Sequence, residues 1–250
     1  MTRLHVATLN LRNLADRWDE RLPLLLNDFG ALQPDVIGLQ EVVFVLQQDR
    51  LLGAAGPGRY AASRAWAGRP EYGNSILTSE ALAVAQPDRL ELSHGRSAGR
   101  LRIAVDGTSV EFVNVHLHHE VPDDAVRDEQ VRILLAWLDG APSSDVQIVV
   151  GDFNADPGEP AYARMTAAGF RSACLEANGV EPAVTWPSGL QGPAIDTDGD
   201  PSCLDYIWLR GTAAVDSARV VFDRPAVGDQ GLYPSDHFGL SAILRIGDAG

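Results

Sequence analysis

The sequence predicts a single α/β domain built on mixed β-sheets. A chain of 250 residues with 45% hydrophobic side chains is long enough for one large domain of this class. Short strand-like segments follow one another at hairpin spacing, and segments with helical apolar spacing lie between some of them. No repeat or linker divides the chain, so we expect residues 1–250 to form one unit.

The N-terminal part predicts strand, helix, strand and helix in that order. Residues 4–9 predict a strand that ends at Asn10, and residues 17–32 carry apolar side chains at helical spacing. Residues 36–39 predict a second strand. We expect the next helix over residues 42–52, where a cluster of glycine and proline ends it.

The middle of the chain predicts a series of strands. They cover residues 60–64, 75–77, 83–92, 101–105 and 110–115. Asp106-Gly107 is a two-residue turn signal between the last two, which predicts a hairpin there.

The C-terminal part alternates helices and strands around one long loop. Helices are predicted over residues 123–138 and 159–168, and strands over residues 146–150, 203–209, 213–221 and 239–245. Residues 178–201 are rich in glycine, proline and aspartate and predict a long functional loop.

The charge balance argues against some functions. The formal net charge is −14, from 34 acids against 20 bases that are all arginine, which is unlike a protein that binds long tracts of duplex DNA. An acidic site still accepts an anionic substrate when divalent cations neutralise its carboxylates.

Cys174 and Cys203 are too few for a disulfide framework, so free thiols are expected. With no apolar run of membrane-spanning length and no signal-peptide pattern, we expect a soluble, monomeric, cytoplasmic protein.

A buried strand ends on polar side chains in the stretch IVVGDFNADP. Gly151 permits a tight or left-handed backbone, and residues two apart in an extended chain project to the same side. The carboxylate of Asp152 and the amide of Asn154 are therefore expected to project toward the same place. The alternative is an Asx-turn that merely satisfies the loop backbone.

Polar groups follow the predicted strands repeatedly along the chain. These groups are Asn10, Glu41, His116, Asp152 with Asn154, Asp205, and Asp236 with His237. Taken singly, each of these residues has an ordinary structural explanation, as a turn residue, a helix cap or a histidine bonded to a carbonyl in the core. Together they indicate one site where strand ends converge on a metal or a phosphate.

These residues lie in motifs that resemble the endonuclease/exonuclease/phosphatase superfamily, which includes deoxyribonuclease I. The motifs are ATLNLRN, QPDVIGLQEV, YGNSILTS, NVHL, GDFNADP, LDYIWL and SDHFGL, and they span nearly the whole chain. The resemblance implies a four-layer α/β/β/α sandwich of two packed mixed β-sheets flanked by helices. It also implies hydrolysis of a phosphate ester by water with Mg²⁺, or with Mn²⁺, and without a covalent enzyme intermediate.

The resemblance assigns a role to each polar group. His237 takes or orients the proton of the attacking water, Asp205 fixes its tautomer, and Asp152 is catalytic. Glu41 is the main metal ligand, with Asn10 and Asp236 completing its surroundings, since Mg²⁺ prefers hard oxygen ligands. Asn154 and His116 are expected to be catalytic through hydrogen bonds to the phosphate oxygens, and so also bind substrate.

Three further features are less specific. Alternation along HLHHE sends His116 and His118 to one side and His119 to the other, which argues against a zinc site there. Arg127 can bind an anionic substrate or simply be solvated. Trp186 lines the cleft or packs in the core.

Substrate choice depends on loops, where the sequence is least informative. The acidic balance favours a small soluble phosphodiester or phosphomonoester over duplex DNA. A nuclease acting on DNA or RNA remains the alternative within the enzyme class. The alternative from another class is a noncatalytic binding protein on the same scaffold.

Overall fold

Two mixed β-sheets form the centre of the molecule. The structure, a computed structural model, describes residues 2–84, 87–196 and 199–247. Within these ranges the strands are β1 (Thr2–Asn10), β2 (Val36–Val43), β3 (Tyr60–Ala65), β4 (Tyr72–Ser79), β5 (Ala83–Val84), β6 (Asp88–Glu91), β7 (Ser97–Val105), β8 (Thr108–His116), β9 (Val146–Asp152), β10 (Arg171–Ser172), β11 (Asp205–Gly211), β12 (Ala213–Val221) and β13 (Gly239–Ile246). The α-helices are α1 (Trp18–Leu32), α2 (Asp49–Ala55), α3 (Asp124–Asp139), α4 (Pro160–Ala167) and α5 (Ala173–Asn178).

The strand order places parallel pairs at the middle of each sheet. The first sheet has the order β12-β13-β1-β2-β4-β3, and the second has β10-β11-β9-β8-β7-β5, with β6 also paired to β7. β1 with β2 and β8 with β9 are parallel, and the other described pairs are antiparallel. Parallel neighbours end at the same edge of a sheet, so the ends of β8 and β9 lie side by side.

Three apolar clusters separate four layers. The central cluster joins the inner faces of both sheets, for example Val6 and Leu244 of the first with Ile148 and Ile207 of the second. A second cluster packs α1 and α2 on the outer face of the first sheet. A third packs α3 and α4 on the outer face of the second sheet. The four-layer α/β/β/α sandwich that the sequence resemblance implies is therefore confirmed.

A buried polar bridge fixes the two sheets against each other below the polar edge. Gln40 donates from Nε2 to Asn114 Oδ1 at 2.6 Å, and Asn114 donates from Nδ2 to the Leu39 carbonyl at 2.8 Å. A Cβ at Gly38 would lie 2.5 Å from Val150 Cγ2, so glycine permits this close approach of the sheets. The bridge connects β2 of the first sheet to β8 of the second.

Most predicted elements are present, with three differences. Residues 42–52 are not one helix: Val42 and Val43 pair with β4, a π-helical turn covers Phe44–Gln48, and α2 follows. β-Branched residues with a free strand partner favour extension there over a helix. The single strand predicted over residues 83–92 is two short strands, and residues 85 and 86 lie outside the described ranges.

The third difference lies around the long loop. β10 and α5 are too short for periodicity to reveal. The strand predicted from residue 203 begins instead at Asp205. Of the predicted loop over residues 178–201, residues 197 and 198 lie outside the described ranges. Cys174 and Cys203 are free thiols, as expected, and both are buried. Among the described residues, no helix is both long and apolar enough to cross a membrane.

Candidate active site

The second sheet brings three predicted residues next to one another. β8 and β9 are parallel and end on His116 and Asp152, which are register partners. β11 runs antiparallel to β9, so its first residue, Asp205, also lies opposite Asp152. Asp152 therefore has a predicted site residue on each neighbouring strand.

The first sheet contributes residues from strands of opposite direction. Asn10 is the last residue of β1, whereas Asp236 and His237 precede β13, which is antiparallel to β1. The expectation that each polar group follows a strand is thus wrong for Asp205, Asp236 and His237, which lie where strands begin. An antiparallel strand starts at the edge where its neighbour ends, so both kinds of position reach the same place.

The backbone around Asp152 is specialised. Gly151 has a φ of +140°, and a Cβ there would lie 1.9 Å from the Val115 carbonyl oxygen, so only glycine fits. Asp152 Oδ1 accepts a hydrogen bond from the Asn154 backbone N–H at 2.9 Å, and Asn154 has a φ of +48°. The Asx-turn is therefore present, and both side chains still line the same cleft.

A buried histidine–carboxylate pair lies beside Asp152. His237 Nδ1 is 2.9 Å from Asp205 Oδ2, and His237 Nε2 is 3.6 Å from Asp152 Oδ2. Thr185 Oγ1 accepts the backbone N–H of Asp205 at 3.1 Å and fixes this residue from behind. Burial alone would lower the pKa of His237, but the carboxylates of Asp205 and Asp152 outweigh it and raise this pKa to about 10. Burial also raises the pKa of Asp152 to about 6.

Glu41 projects into the cleft from an irregular point in β2. The pairing of β2 with β4 shifts register between Leu39 and Val42, and Glu41 has a φ of +55° within that bulge. Asn13 donates from Nδ2 to Glu41 Oε2 at 2.8 Å. The bulge re-aims the carboxylate, as bulges next to active sites do.

Asp236 lines the cleft close to both Glu41 and His237. Its Oδ1 lies 3.2 Å from Ser235 Oγ, and its Oδ2 lies 3.4 Å from Arg12 Nε. Burial raises the pKa of Asp236, an effect that the neighbouring His237 and Arg12 oppose.

Asn10 touches Asp152 rather than the open cleft. Its Nδ2 donates to Asp152 Oδ2 at 2.9 Å, and its Oδ1 accepts from the Arg12 backbone N–H at 2.9 Å. Ser235 Oγ donates to the Asn10 carbonyl at 2.6 Å, which ties the end of β1 to the segment before β13.

Most of the predicted site residues line one cleft of about 460 Å³. Its wall includes Glu41, His116, Asp152, Asn154 and His237, whereas Asp205 and Asn10 lie behind them. The volume lies within the usual range for small-ligand sites, which is roughly 300–1,000 Å³.

The histidines after β8 do not follow the expected alternation. His116 lies against Arg96, whose Nη1 is 2.9 Å from His116 Nε2, and burial together with this cation lowers the pKa of His116 well below its usual value. His119 Nδ1 is 2.8 Å from Arg96 Nη2, so His119 shares the side of His116 and also lines the cleft. His118 turns away, with its Nε2 3.0 Å from Asp123 Oδ2. The expectation fails because β8 ends at His116 and strand alternation stops with it.

Arg127 and Trp186 both line the cleft. Arg127 is buried and already bonded, from Nε to Glu159 Oε2 at 2.8 Å and from Nη1 to the Glu120 carbonyl at 2.9 Å. Trp186 is also largely buried and pairs with Ser202 across the long loop. Both therefore combine a packing role with access to the cleft.

Sequence reasoning missed Arg12, Asn13 and Arg96. The first two follow Asn10 in the motif ATLNLRN, so their position directly after a strand end was the available signal. Arg96 carried no signal, because it comes from a turn 20 residues before its partner His116.

The donor set fits a hard divalent cation. Glu41 and Asp236 offer carboxylate oxygens on the cleft wall, and one ligand atom from each of Asp152, Asp205 and His237 lies within 4.8 Å of the others. Among the described residues, Asp205 Oδ1 is buried without a hydrogen-bond partner. Oxygen-rich sites of this kind suit Mg²⁺ or Mn²⁺ better than softer metals.

Comparisons with known proteins agree with this architecture. Nocturnin of Xenopus laevis is 24% identical over 253 residues, which cover 90% of this chain, and the chain spans 64% of the length of that relative. A humanized TDP2 of D. rerio carrying 14 mutations superposes with a TM-score of 0.80 at 18% identity, covering 98% of this chain and 99% of that one. The human nocturnin catalytic domain with bound sulfate anion gives a TM-score of 0.76 at 22% identity, covering 97% and 94%.

The model of one family matches nearly the whole chain, from residue 7 to residue 237, and this range contains every predicted site residue. The chain belongs to the endonuclease/exonuclease/phosphatase family.

Proposed function

We propose that this protein hydrolyses a phosphate ester with the help of Mg²⁺, which Mn²⁺ can replace. The observation that carries the proposal is the adjacency of His116, Asp152 and Asp205 on three neighbouring strands, with His237 bonded to Asp205 and Glu41 on the same cleft. Such a set contains a base, an orienting carboxylate and hard oxygen ligands, which are the parts that ester hydrolysis by water requires.

His237 is the group that takes or orients the proton of the attacking water. Its Nδ1 is held by Asp205, so its Nε2 is directed toward Asp152 and the cleft. Asp152 lies within reach of the same water or of the leaving oxygen. Asn10 supports this role by donating to one of its carboxylate oxygens.

Glu41 and Asp236 would hold the cation, with Asn10 behind Asp152 completing its surroundings. When bound, the cation neutralises charge on the phosphate and on the carboxylates around it. Asn13 fixes Glu41 by its hydrogen bond, and Arg12 lies beside Asp236.

We expect Asn154 and His116 to donate hydrogen bonds to the nonbridging phosphate oxygens once substrate is bound. The low pKa of His116 keeps its ring neutral, so it donates from one nitrogen only. Asn154 uses one amide hydrogen on the Leu117 carbonyl at 3.1 Å and has a second one available for the substrate. Arg127 and Trp186 contact the remainder of the substrate at the cleft wall.

We propose a small soluble diester or monoester as the substrate. Among the described residues that line the cleft, the arginines are Arg12 and Arg127, and both are already paired with carboxylates. A long polyanion would meet little unpaired positive charge there. One solved relative is described as TDP2 of D. rerio complexed with single strand DNA product, which makes single-stranded DNA the second candidate.

Hydrolysis assays test the proposal. Bis-aryl phosphate, mono-aryl phosphate, a single-stranded oligonucleotide and a duplex would each be incubated with Mg²⁺ and with EDTA. We expect Mg²⁺-dependent hydrolysis of at least one aryl ester and its loss by several orders of magnitude in His237→Ala with the fold retained. Near-normal turnover in that variant, or no hydrolysis of any substrate, would contradict the proposal and favour a noncatalytic binding protein.

A further inference from the structure

Arg21 is a buried cation that the proposed chemistry does not use. It lies in the first turn of α1 and is fully buried. Its hydrogen bonds all go to main-chain carbonyls: Leu11 at 3.0 Å, Arg12 at 3.2 Å, Asn13 at 3.1 Å, Ala15 at 2.7 Å, Asp16 at 2.8 Å and Pro234 at 3.0 Å. A guanidinium bonded in this way organises backbone rather than neutralising a neighbouring carboxylate.

The loop that surrounds Arg21 is strained. Arg12, Asn13, Asp16 and Arg17 all have positive φ, between 34° and 63°, although none of them is glycine. Non-glycine residues in this region persist only where surrounding interactions hold them. The loop carbonyls that accept from Arg21 are a physical reason for these residues to keep this conformation.

The same loop presents two side chains to the cation end of the cleft. Asn13 Nδ2 donates to Glu41 Oε2 at 2.8 Å, and Arg12 Nε lies 3.4 Å from Asp236 Oδ2. The carbonyl of Pro234, which Arg21 also binds, lies two residues before Asp236. One guanidinium therefore connects the loop that touches Glu41 with the segment that carries Asp236.

We propose that Arg21 is a positioning residue, which holds the strained loop of residues 11–16 against Pro234 and thereby keeps Asn13 on Glu41 and Arg12 beside Asp236. The inference rests on the proposed function of these two carboxylates as the cation site. Arg21 touches neither substrate nor cation and acts through Asn13 and Arg12.

Direct binding of Mn²⁺ to the protein without substrate tests the inference. Arg21→Lys retains the charge but loses the fork that gathers several carbonyls, so we expect the Kd for Mn²⁺, measured by calorimetry, to rise roughly 10-fold or more. Val110→Ala is the matched control, since Val110 is fully buried at the opposite end of β8 from His116. It is expected to lower stability but leave the Kd for Mn²⁺ unchanged.

A double-mutant cycle shows whether Arg21 acts through Asn13. We expect Asn13→Ala to weaken Mn²⁺ binding. Arg21→Lys should raise the Kd less in the Asn13→Ala background than in the wild type, because the support of Glu41 is already lost and only the part that acts through Arg12 remains. If Arg21→Lys fails to fold, Ala15→Gly loosens the loop while Arg21 stays in place, and the Kd should rise in the same direction.

The outcomes separate this inference from the proposed function. If the wild-type protein neither binds Mn²⁺ nor hydrolyses any ester, the proposed function fails. If the wild-type protein does both, but folded Arg21→Lys binds Mn²⁺ as the wild type does, only the positioning role is overturned. An unchanged Kd in folded Ala15→Gly would overturn it in the same way.

Discussion

Replacing Asp205 with asparagine isolates what a buried carboxylate does for His237. The substitution keeps the size of the side chain and removes its negative charge. The backbone of residue 205 stays tied to Thr185 Oγ1 through its N–H, at 3.1 Å, so the position of the side chain is retained. The change therefore acts on the bond between Asp205 Oδ2 and His237 Nδ1, which is 2.9 Å long.

The size of the effect follows from the charge state of His237. Against the opposing effect of burial, neighbouring carboxylates raise its pKa from 6.5 to about 10. That rise corresponds to roughly 5 kcal/mol of preference for the protonated ring. Asp205 and Asp152 provide most of it and Asp236 less, and only Asp205 is hydrogen-bonded to the ring. Assigning about half of this preference to Asp205 gives ~2–3 kcal/mol for holding the protonated ring. We expect a roughly 100-fold lower kcat in Asp205→Asn, because the ring loses the carboxylate that fixes its orientation toward the attacking water.

The assay compares kcat for an aryl phosphodiester at saturating Mg²⁺ in the wild-type protein and in Asp205→Asn. Asp139→Asn is the control, because Asp139 is an exposed acid that pairs with Arg210 away from the cleft. Thermal unfolding of each variant verifies that the fold is retained. A kcat of Asp205→Asn within about threefold of the wild-type value would refute the reasoning, since each 1.36 kcal/mol corresponds to tenfold in rate.

Two further predictions concern stability. Gly151→Ala should lower the free energy of unfolding by about 2–4 kcal/mol, because its Cβ would meet the Val115 carbonyl at 1.9 Å and its φ is +140°. Urea titrations measure this change. The control is Gly30→Ala in helix α1, where a Cβ would meet nothing within 4 Å and the free energy of unfolding should rise by about 0.5–1 kcal/mol. Equal effects of the two substitutions would contradict the close approach at Gly151. The second prediction concerns pH: since the folded pKa of His237 lies above 6.5, its stabilising contribution is complete below about pH 6.5 and is lost as the pH rises toward about 10. With EDTA present, the melting temperature of the wild-type protein should fall more steeply with pH across this range than that of His237→Gln. Parallel dependences of the two melting temperatures on pH would disprove the raised pKa of His237.

The family resemblance of the sequence motifs predicted the layers of the fold, and the polar residues that the sequence analysis selected lie in or behind one cleft. Apolar β-branched runs such as the one before Asp152 are strong strand signals, and a polar residue after each run marks where backbone leaves the sheet. These local signals located Asn10, His116 and Asp152 at the ends of their strands, whereas Glu41 lies in a bulge within β2. The direction of a strand is not local, so the sequence did not reveal that Asp205 lies at the beginning of its strand rather than at the end of one.

Other features of the site depend on contacts between distant segments. The bulge at Glu41 arises from pairing of β2 with β4, and the positive φ values after Asn10 are accompanied by the bonds of Arg21 to the loop carbonyls. Arg96 directly precedes β7, whose first residue Ser97 pairs with His116, so Arg96 reaches His116 across two neighbouring strands. No periodicity in the sequence encodes such contacts, so their residues emerged only with the fold.

Anomalous diffraction from crystals soaked with Mn²⁺ and inorganic phosphate tests the central claim most directly. The account predicts one Mn²⁺ on the Glu41 carboxylate near Asp236, at about 2.0–2.2 Å from its oxygen ligands, as for other small hard cations. It also predicts the phosphate between that ion and His237, within hydrogen-bond distance of Asn154. Mn²⁺ bound only at the separate group of His118, Glu120 and Asp123, with the cleft free of both ion and phosphate, would contradict it.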